Sequence, residues 1–394
     1  MIMRKKTLQC LFSLFLLSGC ALSTIFVEKV QAPANMIRVA LLKDVVTCTI
    51  EVRGPYTVTD VMSGQKLVEE NGLRTAAISA SEQGIHWADN LFRVSSINVV
   101  AQKEAAFFIN GQCYRGDISF IRTGTSKLTV VNTLELEDYL KGVVPKEIPD
   151  RWPLEAIKAQ AIVARTYTLY IKKQKKYPLY DLTSDIFSQM YGGQSAEKYR
   201  TSLAVERTKS LVLIYNQKTI PAYYHATCAG HTEDVGELWG GSMSPLQGVV
   251  CVFCKESPHM AWKRNLRLKD IQDKLNAQGY TLGLIKDIAI VERDQSQRIR
   301  DLKITTRDHK EVFISGKDFR NIIGPNLIKS NNYDIEMKGY FIDIYGKGWG
   351  HGVGLCQWGA NFMAREGYSF GDILKYYYPG VEIMRYYDCD QSDR

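Results

Sequence analysis

Beyond its first twenty residues the sequence has no apolar run approaching the roughly 20 consecutive apolar residues that a membrane-spanning helix needs. It has no internal repeat and no low-complexity stretch, which excludes a repeat architecture. Lys and Arg form no long cluster and no nucleic-acid motif, so nucleic acid is not among the expected partners. No cysteine stands in a set with a base and an orienting group. A peptidase built on Cys356 with His351 or His225 is therefore disfavoured, more so because an exposed thiolate oxidises easily outside the cytoplasm. What remains is an ordinary globular composition, 45% hydrophobic over 394 residues, enough for one large domain or two moderate ones.

The first twenty residues point to a compartment. Arg4, Lys5 and Lys6 precede a short apolar core, TLQCLFSLFLL, which is too short to span a bilayer and fits a secretory signal. The core ends in Leu17-Ser18-Gly19-Cys20, small residues before a cysteine, which reads as a lipobox. The expectation is a signal peptide over 1–19, a lipid on Cys20, a tether over 20–35 and attachment to a membrane through that lipid. Ala21 follows with no acidic residue, a pattern that resembles sorting to the outer rather than the inner membrane of a periplasm. The leader holds three of the positive charges behind the formal net charge of +8 and no acid, leaving +5 on the remainder. That mild excess suits an anionic polymer without requiring one. With Cys10 removed and Cys20 acylated, Cys48, Cys113, Cys228, Cys251, Cys254, Cys356 and Cys389 remain. Their number is odd, disulfides form in such a compartment, and the sequence fixes no pairing.

The pattern along the chain predicts an α+β fold. Residues 36–133 are strand-rich: IRVALL, CTIEVRG, YTVTDV, LFRVSSINVV and AAFFING are short, Val- and Ile-rich and bounded by Gly, Asn and Pro. Ile118, Phe120 and Arg122 alternate before Gly124-Thr125-Ser126, and Leu128, Val130 and Asn132 alternate after it, which predicts a hairpin. A helix-bearing core begins at 134, with LELEDYLKGVV, a Pro-bounded turn over Pro145–Pro149 and a second helix from about Pro153. In that second helix Leu154, Ile157, Ala161, Ala164 and Thr168 share one stripe. Residues 264–335 read as an inserted, smaller α/β lobe that divides the core into 134–263 and 336–394.

Three segments carry chemistry. Glu147 lies between Pro145 and Pro149, whose rings fix φ and remove backbone donors. A carboxylate held so stiffly makes a general acid if its surroundings raise its pKa; the alternative is a helix-capping acid. The second segment runs from Tyr224-His225 through Cys228 to His231-Thr232-Glu233. The third, Gly348-Trp349-Gly350-His351-Gly352-Val353-Gly354-Leu355-Cys356-Gln357-Trp358, mixes glycines that permit close backbone approach with His, Gln and two Trp. Cys228, Cys251, Cys254 and His259 form a set with zinc-ligand chemistry and spacing, but a disulfide from Cys228 to Cys251 or Cys254 reads equally well. A structural zinc is thus the one cofactor the sequence offers.

These segments resemble the stage II sporulation protein D family, which includes peptidoglycan lytic transglycosylases and amidase enhancers. The likeness runs from about Ile37 to Ile383. It rests on Tyr114-Arg115-Gly116, the V-V-P-x-E-x-P segment, the Q-A-x-x-A-R-T-Y helix and the G-H-G-V-G-x-x-Q-W-G-A segment. The resemblance implies that Glu147 is the catalytic acid/base. It also implies that Arg165, Tyr167, Gln189, Tyr191, His225, His351, Gln357 and Trp358 bind substrate. The implied reaction cleaves the bond between N-acetylmuramic acid and N-acetylglucosamine in cell-wall remodelling or division, forms a 1,6-anhydro product and needs no cofactor. Lytic members act on glycan strands already stripped by an amidase, which implies an amidase partner. A non-catalytic, glycan-binding amidase enhancer is the alternative. Two departures stand out: the loop Asp185–Tyr191 lacks the Cys and His that bind zinc in some members, and Cys356 replaces the usual Ser.

Overall fold

Alternating apolar residues in Met36–Val45 form a strand between the short edge strand Leu182–Thr183 and Leu128–Glu135 in an eleven-stranded, mostly antiparallel sheet in the computed structural model, which describes residues 35–102 and 105–386. The proposed lipobox, Cys20 and the tether up to residue 34 lie outside the described residues. Ile37, Val39, Ile50, Val52, Val58 and Ile97 point to one side and are fully buried or nearly so; each contributes roughly 1.5–3 kcal/mol of burial energy. The expected hairpin is present, with Asp117–Arg122 paired to Leu128–Glu135 and Arg122 opposite Leu128. CTIEVRG and YTVTDV belong to one strand, Thr47–Asp60. Its first half pairs with Ala106–Ile109 and its second half with Ser96–Ala101. The change of partner falls at Gly54, whose φ of 102° and 3.0 Å approach to Ala105 leave no room for a side chain.

Eight helices occur among the described residues: α1 (Leu136–Glu147), α2 (Leu154–Gln174), α3 (Tyr199–Arg207), α4 (Val235–Trp239), α5 (Leu268–Asn276), α6 (Gly316–Ile323), α7 (Gln357–Arg365) and α8 (Phe370–Tyr377). α1 runs through Pro145 and ends on Glu147, so the expected Pro-bounded turn is the last turn of a helix. Burial of Leu140, Val143 and Val144 holds that turn despite the missing backbone donor. α2 packs closely through Ala156, Ala159, Ala161 and Ala164, all buried.

Among the described residues, the buried apolar side chains form three clusters. One joins the large sheet to α1 and one face of α2. A second joins the other face of α2 to α7, α8 and the segments around Cys228 and Val353. The third runs from Trp262 to Ile344. It contains α5, α6, a sheet of Ile285–Arg293, Ile299–Thr306 and Glu311–Ser315, and a sheet in which Trp262–Arg267 and Tyr333–Lys338 flank Phe341–Gly346. The bounds 264–335 cut through that last sheet, since position 264 falls inside Trp262–Arg267 and position 335 inside Tyr333–Lys338.

Candidate functional site: a cleft with one carboxylate

Glu147 sits where α1 stops and the chain turns extended at Ile148, whose N–H donates to the Val144 carbonyl. Its Oε1 accepts the Met190 N–H at 3.1 Å, and the Tyr224 hydroxyl donates to the same carboxylate. Both bonds favour the charged form, yet burial outweighs them and holds the Glu147 pKa above the ordinary carboxylate value. Tyr224 is itself fixed by Gln189, whose Nε2 donates to the tyrosine oxygen at 3.3 Å. The Gln189 Oε1 accepts from Tyr139 (3.2 Å) and Thr168 (2.7 Å). A buried, satisfied amide thus orients the donor that faces Glu147.

The opposite wall comes from the Gly-rich segment. Tyr224-His225 pairs in parallel with Leu355-Cys356, and Thr227 bridges to Trp349. The glycines are needed for this approach. A Cβ on Gly350 would lie 2.7 Å from the His225 Cβ, and one on Gly354 would lie 2.1 Å from the Tyr223 carbonyl. His351 Nδ1 accepts the Val353 N–H at 3.1 Å, which leaves the ring proton on Nε2. Burial and the nearby Arg320 lower the His351 pKa to about 3, so the ring is neutral. Tyr167, Tyr223, Trp239 and His351 form a continuous aromatic wall, with neighbouring centroids 4.6–6.0 Å apart. They border an open cleft of ≈ 320 Å³ in which Glu147 is the sole carboxylate among the described lining residues. Phe187 (81% exposed) and Ile186 (68%) stand on the same cleft. Asp138 pairs with Lys141, Glu155 with Lys158 and Glu233 with Ser296; none of them lines it.

Of the residues expected to bind substrate, Tyr167, His351 and Gln189 line the cleft with Glu147. The others have structural surroundings. Arg165 is fully buried and grips Glu137 with two bonds of 3.0 and 2.7 Å. It also donates to the Leu211 and Val205 carbonyls, which ties α1, α2 and α3 together. Tyr191 is buried against Tyr114 and Tyr139 and donates to Asn132. His225 is buried behind His351 and bonds the Val353 carbonyl at 3.2 Å. Gln357 is buried at the start of α7 and donates to Gln160 at 3.4 Å. Trp358 packs edge-on against Trp152 with centroids 5.1 Å apart, so it supports α2 rather than the cleft. Tyr223, Trp239 and the Met190 N–H are not predictable from the sequence as cleft elements. Tyr224 lies inside the second segment, but nothing in the sequence distinguishes it from its neighbours.

The cysteine expectation needs one exchange. Cys228, Cys251, Cys254 and Cys356 are all buried, and their sulfurs lie within 4.8 Å of one another. His259 is not in this group; its ring packs edge-on against Trp349 at 4.5 Å. The parallel pairing of Tyr224-His225 with Leu355-Cys356 brings Cys356 in, a contact that sequence spacing does not reveal.

Fold and cleft define an α+β protein whose single carboxylate faces an aromatic wall, and comparison with known proteins places it in a class. The stage II sporulation protein family profile matches residues 124–215, and a domain of unknown function matches residues 253–354. A stage II sporulation protein D of Bacillus amyloliquefaciens is 32% identical, over 64% of this chain and 75% of that one. An uncharacterised protein of Brachyspira hyodysenteriae is 33% identical over 90% of this chain and 94% of its own length. An amidase enhancer of Bacillus subtilis is 30% identical over 63% of this chain, but the match spans only 40% of the enhancer. The chain belongs to the stage II sporulation protein D family.

Proposed function

We propose that the protein is a peptidoglycan lytic transglycosylase of the cell envelope, held in the periplasm by a lipid on Cys20, with Glu147 as its single acid/base. The observation that carries this reading is Glu147 itself. It is a part-buried carboxylate with a raised pKa, bonded by Met190 and Tyr224, alone among the acids of a cleft walled by aromatic rings. Aromatic faces stack on sugar rings, and an open cleft admits a polymer. Protonated Glu147 gives its proton to the glycosidic oxygen as the C1–O bond of N-acetylmuramic acid breaks. The resulting carboxylate then takes the proton of the muramyl 6-hydroxyl as that oxygen bonds C1. The 1,6-anhydro ring closes and Glu147 returns to its acid form. No water is consumed, so the second carboxylate of ordinary glycosidases is not required. Neutral His351, whose Nδ1 accepts the Val353 N–H, shapes the wall and does not supply a second acid.

The test is mass analysis of peptide-stripped glycan strands after incubation with the protein; 1,6-anhydro products support the reading, and intact strands oppose it. A second reading, an amidase enhancer, is favoured by the exposed Phe187 and Ile186 at the cleft, which a protein partner would cover, and by the name of one relative. It predicts no anhydro product, but faster release of stem peptides when a peptidoglycan amidase is added.

A further inference from the structure

We propose that Cys228, Cys251, Cys254 and Cys356 form a tetrathiolate zinc site that locks together the two strands of the cleft wall. The four thiols come from three separate segments, and Cys251 and Cys254 have the C-x-x-C spacing of a metal knuckle. Zinc with thiolate bonds of ~2.3 Å in a tetrahedron sets its sulfurs roughly 3.8 Å apart. Here Cys228 Sγ and Cys254 Sγ are 3.5 Å apart, and all four sulfurs lie within 4.8 Å of one another. Paired disulfides would draw sulfurs to ~2.0 Å two by two and give no reason for all four to meet at one point.

The surroundings suit an anionic cluster. The Cys228 N–H points at Cys356 Sγ (3.3 Å), as does the Gly359 N–H (3.4 Å) from the first turn of α7. The Tyr377 hydroxyl meets Cys251 Sγ at 3.1 Å. The buried Arg298 guanidinium donates to the Cys228 carbonyl at 2.9 Å, which sets a positive charge beside the group. A bare cluster of buried thiols would leave these donors without strong acceptors, whereas thiolates on a dication use them. Soft sulfur donors in a tetrahedron select zinc over harder cations. Gly359 is required by the same arrangement, since a Cβ there would strike the Tyr377 hydroxyl and press on Cys251 Sγ.

The site has a position with consequences for the cleft. Cys228 follows Tyr224-His225, and Cys356 lies in the strand paired with it, five residues after His351. A metal joining them fixes Tyr224, the donor to Glu147, against the His351 wall.

The experiment measures metal content by plasma mass spectrometry on the full chain, and maps cysteine peptides under non-reducing conditions after alkylation of the denatured protein. The expected result is about one zinc per chain, with all four cysteines recovered as alkylated thiols. Substitution of cobalt should give the intense visible absorption of a tetrahedral thiolate site. Cys254→Ser should lower bound zinc to near zero, and His259→Ala should leave it unchanged. Disulfide-linked peptides among the four cysteines would overturn the proposal. So would free thiols without metal after purification in zinc, iron in place of zinc, or loss of zinc in His259→Ala. The metal and peptide measurements on the native chain need no variant, so misfolding of Cys254→Ser would not shield the proposal.

Discussion

Removing one hydroxyl should shift the titration of Glu147 in a calculable direction. Tyr224→Phe deletes the side-chain donor to the Glu147 carboxylate and keeps the ring that walls the cleft. Gln189 Nε2 retains the Ala164 carbonyl as acceptor at 3.3 Å, so the supporting amide is not stranded. A hydrogen bond to a charged group contributes about 1.5–3 kcal/mol, and one pKa unit corresponds to 1.36 kcal/mol. The Glu147 pKa, already raised by burial, should therefore rise by a further 1–2 units or so. Two assays read the shift. Carbon-13 NMR of labelled glutamate follows the carboxyl directly. The alkaline limb of the pH–rate profile for glycan cleavage, which falls as the acid form is lost, should move upward by the same amount. Activity on the acid side should change little. A Glu147 titration that stays put, or moves down, in Tyr224→Phe would refute the reasoning.

Other expectations follow from the same geometry. Arg165→Met leaves Glu137 without its bidentate partner and should cost roughly 3–5 kcal/mol in urea unfolding, while the folded fraction keeps normal glycan affinity; an affinity loss without a stability loss would restore a substrate role. His351, with a pKa lowered to about 3 from 6.5, contributes stability that is fully present above pH 6.5 and is lost as pH falls toward its folded value. Its share between pH 7 and 5 is about 2 kcal/mol. Glu147 has the opposite sign, since a raised carboxyl contributes stability at low pH that is lost as pH rises through its folded pKa. The measurement is therefore the difference in pH slope between the native chain and His351→Asn, and equal slopes would contradict it. Labelled palmitate should be incorporated into the native chain and not into Cys20→Ser; equal labelling would remove the lipobox reading.

The sequence is most legible where periodicity and burial coincide. The hairpin around Gly124 and the strands and helices of the lobe, such as α5 and Ile299–Thr306, show clear alternation or helical spacing because one face of each is buried. The sixteen-residue strand Lys66–Ser81 is not readable, since most of its residues are at least partly exposed and no apolar alternation is imposed on it. α1 extends past its proline because Leu140, Val143 and Val144 before it and Ile148 after it are buried, an effect of tertiary contact. At the site, Glu147 is legible through its prolines. Arg165, Tyr191, Gln357 and Trp358 share motifs with cleft residues yet point into the core, because a motif records proximity along the chain and not the direction of a side chain. Cys356 escapes for the converse reason: it joins Cys228 through strand pairing across 128 residues.

The most direct test of the central claim compares native protein with Glu147→Gln on peptide-stripped glycan strands, with anhydro products quantified by mass spectrometry. Glutamine keeps the size of the side chain and can still accept the Met190 N–H, but it cannot give and retake a proton. Positioned acid–base catalysis is worth typically 10²–10⁴-fold, so product release should fall by at least about 100-fold while glycan binding and the unfolding midpoint stay near native values. Cleavage at the native rate by Glu147→Gln would contradict the assignment.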